Sequence, residues 1–184
     1  MNRIKLSLWG LLTGMTVIWA LANLPLPENL NFITIRNFLV QYTGVIAIGV
    51  MSIAIILAAR PKWLEPMLGG LDKSYRLHKW LGISALVFSL THWLHANAPG
   101  WLVGLGVLER GGRPPRPDPE SLGAIQRWLV DQRGTAEFLG EWAFYAVALL
   151  IVLALVKRFP YQWFAKTHRW ISAIYLVLVL HSLV

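Results

Sequence analysis

Apolar residues run through this chain in blocks of about twenty, separated by short polar segments. The hydrocarbon core of a bilayer is ~30 Å thick and a helix rises ~1.5 Å per residue, so about twenty apolar residues make one crossing. In lipid the backbone must satisfy its own hydrogen bonds, which makes each block a helix. Five spans are predicted, at Leu6 to Leu24, Phe38 to Ala59, His78 to Ala96, Phe138 to Val156 and Trp163 to Val184. The expected fold class is an all-α integral membrane helical bundle of five transmembrane helices with a cytoplasmic N-terminus. The first block also admits a signal-peptide reading, with Arg3 and Lys5 before it and Ala20-Leu21-Ala22 as a small-residue cleavage site. Its length favours a retained helix.

Between the third and fourth spans lies the longest loop, 97–137, expected on the outer side. Its Arg113-Pro114-Pro115-Arg116-Pro117-Asp118-Pro119 stretch predicts extended backbone. Leu122 to Val130 predicts a short helix lying on the outer surface, with Trp128 at the interface. Residues 1–184 read as one transmembrane domain without internal repeat.

Charge orients the bundle. With an inside N-terminus, the inner segments hold eleven of the seventeen basic residues and only Glu65 and Asp72 as acids. The outer segments hold six basic residues and seven acids. This is the positive-inside pattern, and it places the N-terminus and the loops 60–77 and 157–162 in the cytoplasm. It also accounts for the net charge of +8 without a nucleic-acid partner. Only 14% of residues are charged, against roughly 25% in soluble domains. The chain has no cysteine, which excludes disulfides, thiolate metal sites and iron–sulfur ligation.

Four of the five histidines form two pairs. His78 and His92 lie 14 residues apart on the third span, and His168 and His181 lie 13 apart on the fifth. At about 100° per residue, 14 residues fall ~40° short of four turns, so His78 and His92 share a face ~21 Å apart along the axis. Thirteen residues fall ~140° short, so aligning His168 with His181 calls for a π-bulge, a kink or a strong tilt. The depths match: His78 and His168 each precede a basic residue at the inner end, and His92 and His181 sit near the outer end. Two helices, each offering one imidazole at each of two depths, can sandwich two planar macrocycles. The competing readings are packing histidines and a zinc or copper path, the latter without a carboxylate, Cys or Met cluster beside it.

The stretch Leu71-Asp72-Lys73-Ser74-Tyr75-Arg76-Leu77-His78-Lys79-Trp80, then His92, then Thr167-His168-Arg169-Trp170 and His181, resembles the ferric reductase-like transmembrane domain, and within it the bacterial NADPH oxidase branch. That resemblance covers essentially the whole chain and includes His spacings of 14 and 13. It implies two b-type haems, the inner on His78 and His168 and the outer on His92 and His181. It implies NAD(P)H reducing FAD in a cytoplasmic dehydrogenase domain or subunit, then electron flow through the inner and outer haems to O2, giving superoxide. Ferric-chelate reduction and a quinone-linked haem subunit are variants of the same class; a non-redox membrane subunit with metal-binding or packing histidines is the different one. The setting it implies is the bacterial inner membrane. The family's sixth helix and flavin domains do not occur before Val184, so the chain is expected to be the membrane part of a longer protein.

Further residues follow from position. Arg36, just before the second span, could hold a propionate, draw an anion, or simply snorkel. His95, one turn beyond His92, could serve an acceptor pocket with Arg36 or be a wet interfacial histidine; the family's pocket histidine falls where this chain has Ala96. Arg76, Lys79, Lys166 and Arg169 surround the inner pair, as propionate or flavin-domain contacts or as topology alone. Gly82 could admit a macrocycle, and Gly44 and Gly49 read as helix-packing positions.

Overall fold

A computed structural model describes residues 2–25, 27, 29–109 and 122–184. The described residues form seven helices: α1 (Asn2–Ala22), α2 (Phe32–Ala58), α3 (Leu64–Leu68), α4 (Leu71–Gly104), α5 (Ala124–Leu155), α6 (Tyr161–His168) and α7 (Trp170–Leu183). The expected Pro-rich stretch at 113–119 lies outside the described residues. Three helices, α1, α2 and α5, are long and apolar enough to cross a membrane by themselves. The other long helix, α4, is diluted by its own histidines and small polar residues.

Several boundaries differ from the sequence expectation. The third span begins seven residues before His78, behind Gly69 and Gly70, and runs past Ala96 to Gly104, carrying Pro99 inside it. Arg36 therefore lies within α2, not before it. No separate surface helix occupies 122–130: Ala124–Leu155 is one continuous helix, and polar Gln126 to Gly134 form its outer turns. Gly134 lies at the junction between the two, but a single glycine inside a helix is tolerated and does not end it.

The fifth span is divided. The helical ladder is interrupted at Arg169, directly after His168, where the Ser172 N–H bonds the Arg169 carbonyl three residues back at 3.3 Å. The irregularity that a 13-residue spacing calls for thus occurs between the two histidines.

Local signals explain the helix ends. Asn31 caps α2, its Oδ1 accepting from the Thr34 N–H at 2.9 Å. The α3 helix stops at Gly69, whose φ of 81° suits glycine, and the Gly70 N–H closes back on the Glu65 carbonyl at 3.0 Å.

The bundle is organised as two antiparallel pairs. α2 packs chiefly on α4, and α5 on α7, with α4–α5 and α2–α7 contacts joining the halves and α1 leaning on α2 and α4. Its core is Ile46, Val50, Met51, Leu77, Leu81, Ala85, Val147 and Ile151. Near mid-span, Ser52 on α2 and Tyr175 on α7 share a hydrogen bond of 2.7 Å. Most other large apolar side chains face outward, as helices bathed in lipid require.

Leu81 is fully buried between these helices. Lipid is as apolar as the bundle interior, so Leu81→Ala forfeits packing but little transfer energy. The expected cost is about 2 kcal/mol, the low end for a buried leucine. Thermal unfolding in detergent measures it, and an unchanged midpoint would contradict this packing.

Candidate functional site

The histidines are built into the α2–α4 and α5–α7 interfaces by a repeated device. The His92 Nδ1 lies 2.8 Å from the Val40 carbonyl of α2, and the His78 Nδ1 lies 2.9 Å from the Ala54 carbonyl of the same helix. Val40 and Ala54 are as far apart as the two histidines, in the reverse order, as an antiparallel pair requires. On the other side, the His181 Nδ1 lies 2.8 Å from the Ala136 carbonyl of α5. A carbonyl oxygen only accepts, so each of these Nδ1 atoms carries a proton and donates it, the tautomer that in a neutral ring leaves the lone pair on Nε2.

His168 differs. Its Nδ1 is buried without a hydrogen-bond partner, and its ring leans on Phe164 at 4.9 Å.

The pairs meet across the bundle. The His78 and His168 rings have centroids 5.9 Å apart and planes at 70°. His92 on α4 and His181 on α7 stand at the other ends of these helices, each bonded to its own neighbour, Val40 of α2 and Ala136 of α5. The arrangement is therefore two levels of two imidazoles each. Among the described residues no three His, Cys, Asp or Glu side chains gather as a ligand set for a bare metal ion.

Arg36 sits at the outer level, and most of its hydrogen-bonding capacity is taken. Its Nε donates to the His95 carbonyl at 3.0 Å, its Nη2 to the Ala96 carbonyl at 2.7 Å, and its Nη1 to Asn37 Oδ1 at 2.9 Å. The reason is Pro99. It lacks the N–H that would bond the carbonyl four residues back, and that residue is His95. Arg36 supplies the missing donor from another helix. The His95 side chain bonds within its own helix, Nδ1 to the Thr91 carbonyl at 2.7 Å.

On the inner side, Arg76, Lys79 and Arg169 are exposed, while Lys166 lies over the Trp163 ring at 5.7 Å. Gly82, one turn after His78, has open space where a side chain would stand. Sequence reasoning missed Gly140, which packs against His181, and the compensation of Pro99 by Arg36. A proline four residues after His95 was the available signal for the second.

The profile of the family described as ferric reductase like transmembrane component matches residues 43–179. The chain belongs to this family. Its match takes in His78, His92 and His168 and stops two residues short of His181. No curated protein and no solved structure matches the chain. The membership makes this a membrane domain for transmembrane electron transfer, in a family of oxidoreductases that generally bind haem.

The donor chemistry here fits such a group. Two imidazoles on opposite sides of one metal, each bonded at about 2 Å, place their ring centroids roughly 6 Å apart. The inner pair is at 5.9 Å.

The Arg36–Pro99 account predicts a coupling. Arg36→Ala destabilises the outer end of α4, and in a Pro99→Ala background its cost falls by about 1 kcal/mol, because the substituted residue then offers its own N–H to the His95 carbonyl. A double-mutant cycle of thermal stabilities measures this, and strictly additive effects would refute the compensation.

Proposed function

We propose that this chain is the di-haem electron conduit of an NAD(P)H oxidase-type system, passing electrons from a cytoplasmic FAD/NAD(P)H dehydrogenase domain or subunit to O2 outside. The single observation that carries this reading is the matched pairing of imidazoles at two levels, three of them with Nδ1 tied to a backbone carbonyl and Nε2 free. Two b-type haems would supply one-electron transfer between the faces of the bilayer. His78 and His168 would hold the inner group, and His92 and His181 the outer one.

The chain's own residues do the rest. The carbonyls of Val40, Ala54 and Ala136 hold three imidazoles in the tautomer that ligates iron and raise their basicity. Leu81, Ala85, Val50 and Val147 are buried between the two levels and keep the interior dry. His92 and His181 would both be taken up in holding the outer group, so electron delivery to the acceptor would be outer-sphere. Arg36 adds a fixed positive charge at the outer level even though its donors are engaged, and with His95 it favours a small anionic product such as superoxide. The exposed Arg76, Lys79 and Arg169 offer an acidic flavin-domain face a basic landing at the inner end. The setting proposed for this is the bacterial inner membrane.

Haem quantification with a reduced-minus-oxidised spectrum of the detergent-purified chain tests the reading. Two b haems per chain are expected. His92→Ala and His181→Ala should each remove one and leave the other, and His78→Ala and His168→Ala should each remove the inner one. A chain that takes up no haem on reconstitution, or four variants with undiminished content, would return the histidines to packing or bare-metal roles.

A further inference from the structure

Each outer histidine meets a glycine on the helix that receives its hydrogen bond. The His92 Nδ1 bonds the Val40 carbonyl, and Gly44 lies four residues further along α2. The His181 Nδ1 bonds the Ala136 carbonyl, and Gly140 lies four residues further along α5. In a helix the carbonyl of residue i points at residue i+4, so the side chain at i+4 stands beside that oxygen. The oxygen has a second lone pair for the imidazole, but the ring reaches it only if i+4 is small.

The fit is measurable. A Cβ at Gly44 would lie 3.0 Å from His92 Nδ1 and 3.1 Å from its Cε1, which the ring could relieve by a small shift. At Gly140 a Cβ would overlap the His181 ring, 2.5 Å from Cγ and 2.8 Å from Cε1, which only displacement relieves. Neither glycine has positive φ, so backbone conformation does not require it. The only demand on these positions is the absence of a side chain. At the inner level the His168 Nδ1 has no acceptor.

We propose that Gly44 and Gly140 are positioning residues for the outer histidine pair, each opening a backbone carbonyl to an imidazole Nδ1–H and so setting the tautomer, orientation and basicity of the ligand. This rests on the di-haem reading and extends it to residues that touch no cofactor. The two ends of the wire then differ. The outer level has both imidazoles hydrogen-bonded and the inner level has one. A hydrogen-bonded imidazole is the more basic ligand and favours ferric iron, so the Nδ1 bonds hold the outer potential down.

The experiment is a potentiometric titration of the haem spectrum in the purified chain, comparing Gly140→Ala, Gly44→Ala and Gly134→Ala with His181→Ala. Gly134 lies on the same helix as Gly140, in open space. The expected result is loss of the outer component, or a shift of its midpoint to higher potential, in Gly140→Ala. A smaller shift of the same sign is expected in Gly44→Ala, and none in Gly134→Ala. Retention of the inner component at its own potential reports an intact bundle. The proposal is overturned if Gly140→Ala keeps both components at wild-type potentials, if both components change alike, or if Gly134→Ala does equal damage. His181→Ala separates the two levels of inference. If it removes one haem while Gly140→Ala removes and shifts nothing, the positioning role fails alone. If it removes none, the di-haem reading itself fails.

Discussion

An imidazole placed between helices in a bilayer must find a partner for its N–H, because no water is there to take it. In this bundle three of four paired histidines find that partner in a backbone carbonyl of a neighbouring helix. The bond has two consequences at once. It satisfies a polar group that would otherwise cost several kcal/mol in hydrocarbon, and it turns the other ring nitrogen away from the accepting helix. The helix register follows from it. Val40 and Ala54 meet His92 and His78 in antiparallel order, so the packing of α2 on α4 and the orientation of two metal-competent rings are one constraint.

The same demand for backbone satisfaction shapes the outer rim. α4 continues past the histidines through Pro99, which leaves the His95 carbonyl without its helical donor. The Arg36 guanidinium reaches across from α2 to fill it, and its neighbour's carbonyl as well. A cation is thereby held at the outer level by the fold itself, instead of wandering to the interface as a snorkelling side chain would. Its structural and electrostatic roles are compatible, since hydrogen bonding to neutral carbonyls leaves its charge uncompensated.

Much of this is legible in the sequence. The apolar blocks mark the helices and the histidine spacing marks two levels. The motif around His78 and His168 marks the family that the profile match establishes. The differences fall at boundaries. α4 and α5 run further outward than the predicted spans, α4 through Pro99 and Gly100 and α5 through Gly134, breakers that the helices absorb. The 13-residue spacing announces an irregularity without saying where it lies; the ladder breaks at Arg169.

What the sequence determines by itself is therefore the membrane class and the number and spacing of the imidazoles. Each of these is written in side-chain identity and spacing. Only the tertiary structure decides which carbonyl receives which ring, why Gly140 stands beside His181, why His168 lacks an acceptor, and why Arg36 answers Pro99. Every residue carries a carbonyl, so an acceptor leaves no mark in the sequence; it becomes specific only when another helix arrives at the right height with room to approach.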